Sequence, residues 1–534
     1  MKQRKYIFVI GGVLSALGKG ITAASLGRLL KDRGYKIMNQ KLEPYLNFDA
    51  GTLNPTEHGE VFVLECGKEA DLDTGAYERF TDEPLTENCI VTTGQIYSSV
   101  INKERKGEYL GKTIQVIPHI TNEIKSKIYK AAEESDADIL ICELGGTIGD
   151  IEQTPFIEAI RQIRYEVGKE NTCFINVSLI PYMSTSGELK TKPTQNCVKQ
   201  LQGMGIQPDI IVCRTEKEID EHIKNKIGMF CNVDSNRVIQ NLNADDLYAI
   251  PLMLSNEKLD VEVLKVLNLP INELKNSEWV NIVNKIRNLS ATVEIALIGK
   301  YVELHDAYLS VYESLKHAGV YNNVKVKVKW IDSEDENIID LIKNVDGIIV
   351  PGGFSFRGTE GMIEAIRYAR ENDIPCFGIC LGMQMMSIEF ARNVLGIKNA
   401  SSQEFNIKNS ENIICLMENQ KTILNLGGTM RLGAYDCKIV NDKLKNIYKT
   451  DLISERHRHR YEFNNHYRTQ MQENGLVIGG QSPDDKLVEM VEVPEHPWYV
   501  GVQFHPEFKS RPNHAHPLFA GFVRAAIEKK NKKN

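Results

Sequence analysis

At 534 residues the chain is too long for one ordinary core, so two or three domains are expected. Hydrophobic content of 42% with 25% charged residues is that of a soluble globular protein, and a net charge of −7 argues against a general nucleic-acid binder, whose footprint is basic. Eleven cysteines, an odd number without CxxC pairs, point to the reducing cytoplasm rather than to a disulfide framework or zinc ribbon.

The opening Met1-Lys-Gln-Arg-Lys5 and the uncharged run from Tyr6 to Gly18 imitate a signal peptide. The run ends in Gly18-Lys19-Gly20 and continues as an amphipathic helix pattern, not as a small-residue cleavage site. No segment reaches the roughly 18 apolar residues of a membrane span. Short apolar runs at Tyr6–Ile10, Lys36–Lys41, Asp138–Cys142, Cys173–Leu179 and Asp209–Cys213 then read as buried strands. They alternate with amphipathic stretches at Thr22–Arg33, Ile120–Ala132 and Thr154–Val167, a βα pattern that predicts a mostly parallel sheet with helices on both faces. Residues Gln240–Asn288 are more polar and read as irregular, with a linker helix near Glu278–Arg287. A second alternating series follows: strands at Val293–Ile298, Val324–Ile331, Gly347–Val350 and Pro375–Ile379, with helices at Ala307–His317 and Gly361–Glu371. The expected organisation is a domain over 1–270, a linker over 271–290 and a second domain over 291–534, both α/β and doubly wound. The basic tail Lys529–Asn534 reads as a solvated terminus.

The first strand leads into Gly11-Gly-Val-Leu-Ser15-Ala-Leu-Gly18-Lys19-Gly20 and a helix. Glycines let backbone amides approach phosphate oxygens, the helix N-terminus faces the anion, and Lys19 reaches the terminal phosphates. The loop departs from a standard P-loop: Val13 takes the first Gly position, and Gly20 stands where Ser or Thr would hold magnesium. Carboxylates elsewhere must serve the metal. Glu143 ends an apolar strand before a Gly-Gly turn, at the sheet edge where ligands collect, and Asp71-Leu-Asp73 offers a second acid. Lys41, also at a strand end, is a second phosphate contact. Gly187–Gln195 carries two lysines and two threonines just beyond a strand, which suits a second triphosphate as well as a solvated loop.

In the second series, Pro375-Cys-Phe-Gly-Ile-Cys380-Leu-Gly-Met-Gln384 places a cysteine where a strand meets a helix. The helix starting near Leu381 favours the thiolate through its amides and dipole. Downstream, Gln503-Phe-His505-Pro-Glu507 supplies a base and a carboxylate to orient it. Val350-Pro-Gly-Gly-Phe354 offers glycine amides for an oxyanion hole. The alternative is a buried structural cysteine beside an unrelated histidine. Elbow, oxyanion loop and His-x-Glu together resemble the class I glutamine amidotransferases, in which cysteine attacks the glutamine side-chain amide and releases ammonia.

Over nearly its whole length the chain resembles the CTP synthase family. The opening glycine loop, His58–Phe62, Asp71–Asp73, Tyr77–Phe80, Val116–Ile120 and Gly187–Gln195 carry the likeness in the first half. Gly378–Gln384, Gly427–Gly433, Glu455–Tyr461 and Phe504–Glu507 carry it in the second. The resemblance implies an amidoligase that phosphorylates O4 of UTP with ATP and displaces the phosphate with ammonia from glutamine. It implies ATP at Ala16, Leu17, Gly18, Lys19, Gly20, Ile21, Lys41 and Asp73, with adenine at Leu242, Asn243 and Ala244, and Mg2+ at Asp73 and Glu143. UTP would take Ser15, Lys190, Thr191, Lys192, Pro193, Thr194, Gln195 and Lys226. The inhibitor CTP would overlap that triphosphate site and add Asp150, Ile151 and Glu152. Glutamine would lie at Gly353, Leu381, Gly382, Met383, Gln384, Glu404 and Arg460, beside the triad Cys380, His505 and Glu507. The family further implies GTP as an allosteric activator, a homotetramer and filaments.

The chain departs from bacterial relatives in the lid segment, with His305 and Leu309 where Pro and Lys are frequent, and lacks a lysine near Leu242–Ala244. Without the resemblance, Arg456–Arg460 reads as an anion patch or a histidine metal cluster. Two other readings remain open on sequence: a cobyrinate-type amidase, disfavoured by the Lys190/Lys192 loop, and a filament-forming regulatory protein, disfavoured by the intact reactive residues.

Overall fold

A computed structural model describes residues 3–420 and 427–533. The chain forms two compact units, and they do not follow chain order: Met1–Asp49 with Asp73–Val283, and Ala50–Leu72 with Asn284–Asn534. The second division falls inside the helix Ser277–Asn288.

The first unit is built on β1 (Lys5–Gly11), β2 (Ile37–Glu43), β3 (Ile90–Thr92), β4 (Ile139–Leu144), β5 (Thr172–Leu179), β6 (Ile210–Thr215) and β7 (Val238–Leu242). They form one sheet in the order β7-β6-β5-β1-β4-β2-β3 with every pairing parallel. The strands are apolar runs because helices cover both faces. Strands β2, β3 and β4 lie on one side of β1 and β5, β6 and β7 on the other, so its carboxyl end is a switch point where a ligand fits. There the turn after β1 enters helix α1 (Lys19–Asp32) through Gly18, whose φ of 82° is the left-handed conformation glycine adopts without strain.

The expectation of irregular structure over Gln240–Asn288 is corrected. It contains the end of β7 and the helices Ile250–Asn256 and Leu259–Val266, while the helix expected near Glu278–Arg287 is present as Ser277–Asn288. These are short segments that hold their shape by tertiary packing: Trp279, 1% exposed, stacks among Phe80 and Tyr248 and donates to the Tyr248 carbonyl at 2.8 Å. β3, only three residues long, carries too little pattern to be read from sequence.

The second unit is organised by β8 (Thr292–Gly299), β9 (Lys325–Asp332), β10 (Gly347–Val350), β11 (Cys376–Ile379), β12 (Arg431–Ile439), β13 (Leu452–His459), β14 (Val477–Gln481), β15 (Val488–Glu492) and β16 (Tyr499–Val502). The sheet order is β9-β8-β10-β11-β16-β15-β14-β12-β13, parallel from β9 to β16 and antiparallel beyond. One face packs on Thr359–Glu371 and Leu381–Asn393 through Met362, Ile366 and Met385; the other packs on Leu309–Tyr321 and Pro517–Lys533 through Leu315, Phe519 and Phe522.

Residues 50–72 lie against edge strand β13. Arg456 and Arg458, two residues apart on one face of it, reach Glu65 (3.1 Å) and Glu69 (2.8 Å), and Phe62 packs edge-on to Phe508. Arg456–Arg460 is therefore neither an open anion patch nor a metal cluster. His457 and His459 are buried, and Nδ1 of the first lies 3.0 Å from Nε2 of the second.

Candidate functional site

In the first unit, strand register assembles the charges. β2 and β4 place Lys41 directly beside Glu143, and the Lys41 ammonium lies 2.5 Å from Glu143 Oε2, 2.5 Å from Asp73 Oδ2 and 3.0 Å from Glu43 Oε1. Tyr77 donates to the same Glu143 oxygen at 2.8 Å. Burial pushes the Glu143 carboxyl up, opposed by Lys41 and reinforced by Asp73. Burial also lowers Lys19, against the pull of Glu143, and its ammonium bonds the Gly146 carbonyl. Three carboxylates thus converge on a site flanked by two lysines.

Glycine at position 20 is explained by the same cluster, because a Cβ there would overlap the Asp73 carboxylate. The acid stands where a P-loop hydroxyl would otherwise project. Among the described residues no three His, Cys, Asp or Glu side chains form an all-protein metal cage. Mg2+ does not need one: one or two hard carboxylates completed by phosphate oxygens and water suffice, and Asp73 with Glu143 fits that donor set.

The remaining predicted nucleotide residues fall into local groups. Ala16, Leu17, Gly18 and Ile21 line the turn and start of α1, with Ala16 at a φ of 56°. Ser15, Asp150, Ile151 and Glu152 are exposed on loops beyond β1 and β4, and Asp150 accepts from the Thr147 amide at 2.7 Å. Lys190 pairs with Glu188, whose carboxyl is held low by Lys190 and, more weakly, by Lys226. Lys192 is exposed and Pro193 opens the helix Lys192–Gly203. Thr191, Thr194 and Gln195 turn inward: Gln195 donates to Thr191 Oγ1 at 3.0 Å and Thr194 to the Leu179 carbonyl at 3.1 Å.

Leu242–Ala244 follows β7, and Arg214 binds it through the Leu242 carbonyl (3.0 Å) and Asn243 Oδ1 (2.9 Å). Arg214 and Glu43 went unread in the sequence, and Tyr77 was given no role beyond the family likeness of Tyr77–Phe80. Arg214 and Glu43 end strands, the same signal that marked Glu143.

In the second unit, Cys380 sits between β11 and the helix Leu381–Asn393 with φ 51° and ψ −102°, a conformation that costs a non-glycine residue strain and persists at functional turns. The thiol is 4% exposed and receives Gln503 Nε2 at 3.6 Å. His505 Nδ1 lies 2.7 Å from Glu507 Oε1. Burial opposes charge on this imidazole, but Glu507 and Cys380 outweigh it and raise His505 to about 10. A Cβ on Gly352 would lie 2.9 Å from His505 Cε1 and 3.6 Å from Cys380 Cβ, so the Pro351–Phe354 turn touches both.

Cys380, His505, Glu507, Gly352 and Gly353 line a cavity of about 70 Å3, closed on its other walls by Pro55, Val61, Tyr308 and Arg458. Leu381, Gly382, Met383 and Gln384 are buried in the first turn of the helix, and Gln384 donates to Gln503 Oε1 and the Tyr461 carbonyl, each at 3.2 Å. Glu404 accepts from the Ser355 amide at 2.7 Å, and Arg460 donates to Gln420 at 2.7 Å. Sequence reasoning missed the Pro55–Val61 wall altogether, since nothing local ties residues 55–61 to a cysteine at 380.

Residues 5–269 match the family described as CTP synthase N-terminus, and residues 303–525 match glutamine amidotransferase class-I. A CTP synthase of Clostridium perfringens is 60% identical over 533 residues, covering 99% of this chain and 100% of that one. One from Caldanaerobacter subterraneus is 56% identical over 530 residues, covering 98% and 99%. Among solved structures, the glutaminase domain of Trypanosoma brucei CTPS with bound acivicin is 37% identical and covers 44% of this chain and 94% of its own, with a TM-score of 0.42.

Proposed function

The chain belongs to the CTP synthase family and is a glutamine-hydrolysing CTP synthase, and we propose that its two units divide the reaction as follows. In the second unit the Cys380 thiolate attacks the glutamine side-chain carbonyl. The turn at Gly353 and the amides opening the following helix face the developing oxyanion. His505, oriented by Glu507, gives its proton to the departing ammonia and then takes one from the water that releases glutamate. Glu404 and Arg460 hold the α-ammonium and α-carboxylate, with Leu381–Gln384 packing the substrate.

In the first unit ATP phosphorylates O4 of UTP, and ammonia displaces that phosphate to give CTP. Such a transfer needs in-line positioning and neutralised charge. Lys19, Lys41 and the turn Ala16–Ile21 bind ATP phosphates, with Leu242–Ala244 at adenine. Asp73 and Glu143 would hold Mg2+, which would supply charge neutralisation on the phosphates. Ser15, Lys190–Gln195 and Lys226 receive UTP, and CTP inhibits there with Asp150, Ile151 and Glu152. GTP activates the glutaminase, and the enzyme assembles as a homotetramer able to form filaments.

The observation that carries the division is the strained, nearly buried Cys380 beside a His505–Glu507 pair, in a unit whose sheet is separate from the lysine–carboxylate cluster. CTP formation is followed by absorbance with glutamine and with ammonia in wild type and Cys380→Ala. The variant is expected to lose glutamine-dependent synthesis by about 10³-fold or more and keep ammonia-dependent synthesis. Loss of both refutes the division.

A further inference from the structure

Lys300 is the least exposed lysine of the second unit whose charge the glutaminase scheme leaves without a task; it is 2% exposed, directly after β8. Its ammonium donates to two main-chain carbonyls, those of Phe354 at 2.9 Å and Ser355 at 2.8 Å. The peptide joining these residues is held from its other side as well, because the Ser355 N–H donates to Glu404 at 2.7 Å. Ser355 itself has a φ of 71°, which a β-carbon disfavours, so the turn needs external restraint to keep that shape. The aliphatic stem of Lys300 contributes too: a Cβ built on Gly353 would lie 3.4 Å from Lys300 Cδ and 3.4 Å from Leu381 Cδ2.

Lys300 is in turn fixed on a rigid element. Its N–H donates to the Tyr308 hydroxyl at 3.1 Å, and Arg357 donates to its carbonyl. Burying an ammonium is costly, and a methionine would fill the same volume without that cost. The charge is retained where it holds two main-chain carbonyls.

We propose that Lys300 is a positioning residue of the glutaminase: it clamps the Phe354–Ser355 peptide and thereby holds the Gly352–Gly353 turn against the Cys380 thiol. The inference rests on the reading of Cys380, His505 and Glu507 as the triad. Burial lowers the Lys300 ammonium to about 8, Glu404 resists this, Arg357 adds to it and Glu334 resists it, so the clamp loosens just above neutral pH.

The test compares Lys300→Met with wild type by steady-state glutamine turnover, ammonia-dependent CTP formation and the rate of Cys380 alkylation by iodoacetamide. The clamp predicts a fall in glutamine kcat of about 10–100-fold, since misplacing an oxyanion donor by ~1 Å has that scale. KM for glutamine stays within about threefold, and alkylation and ammonia-dependent synthesis within about twofold. The decline of glutamine kcat above a pH of about 8 in wild type is absent from the variant. Lys300→Gln, which keeps donors without charge, recovers part of the loss and serves as the folding-tolerant substitute if the methionine variant is insoluble.

Unchanged kcat in Lys300→Met overturns the proposal. So does an alkylation rate that falls in proportion to kcat, because that marks collapse of the whole site. A Cys380→Ala control that still hydrolyses glutamine refutes the triad itself and is distinguishable from either result.

Discussion

The phosphate cluster and the thiol site solve opposite electrostatic problems. Around Lys41, three carboxylates compete for one ammonium, a tyrosine hydroxyl donates to one of them and Lys19 lies beside them, so the site is charged and internally paired. In the proposed reaction, phosphates and metal would replace those pairs. Around Cys380 the wall is largely apolar and backbone, and its ionic groups are fixed in pairs: Glu507 on His505, and Arg458 on Glu69. That site is assembled before substrate arrives. Transfer of a highly charged group requires exchangeable partners, whereas amide hydrolysis requires fixed ones at the moment charge develops.

Removing the fixed partner should break the comparison most severely. In Glu507→Gln, His505 keeps a neighbour of similar size but loses the charge that holds its tautomer and raises its basicity. Glutamine-dependent kcat is expected to fall about 10²–10³-fold, with ammonia-dependent synthesis unchanged, in side-by-side assays. The substitution also has a stability signature. His505 is raised from 6.5 to about 10, so its ionic contribution is complete below 6.5 and is lost as pH rises through about 10. Thermal or urea unfolding from pH 6.5 to 10 should show that alkaline loss in wild type and a flatter profile in Glu507→Gln. An unchanged slope would mean Glu507 does not charge the imidazole.

A smaller effect is expected where the exchangeable site is crowded instead of stripped. Gly20→Ser restores the residue type of an ordinary P-loop, yet its Cβ must displace the Asp73 carboxylate. ATP affinity, measured by calorimetry, is expected to weaken about tenfold, and both glutamine- and ammonia-dependent synthesis to fall together. If the serine variant binds ATP more tightly, the hydroxyl has taken over a role that Asp73 does not fill.

How much of this was legible in the sequence follows from range. Strand-end residues such as Glu143 and Lys41, and the elbow at Cys380, were readable because a strand–turn–helix pattern of ten residues specifies them. The buried strands β1, β4 and β5 were readable as short, mostly apolar runs. The antiparallel half of the second sheet was not, since β12 to β15 mix polar and apolar residues and their partners are set by tertiary pairing. Arg456 and Arg458 looked like a solvated anion patch because their partners, Glu65 and Glu69, are almost 400 residues away in sequence. Lys300 was not read at all, since its two carbonyl partners lie more than 50 residues away in sequence.

The docking of residues 50–72 on β13 gives the smallest predicted effect. Glu65 is half-exposed and accepts Arg456, which is 1% exposed, along with Lys509 at 3.4 Å. Burial raises the Glu65 carboxyl, but Arg456 and Lys509 outweigh it and hold it below its ordinary range. A lowered carboxyl stabilises above its unfolded pKa and loses that contribution as pH falls through the folded one. Glu65→Gln should therefore cost about 1 kcal/mol near neutral pH and converge with wild type in acid, because exposure to solvent screens the pair. Urea unfolding at neutral and acidic pH reads the difference directly. Arg456 also donates to the Val63 carbonyl at 3.0 Å and lies over the Phe62 ring, so the segment stays seated and glutamine turnover changes little. A loss of turnover larger than the loss of stability would show instead that Glu65 helps hold the Pro55–Val61 wall of the cavity.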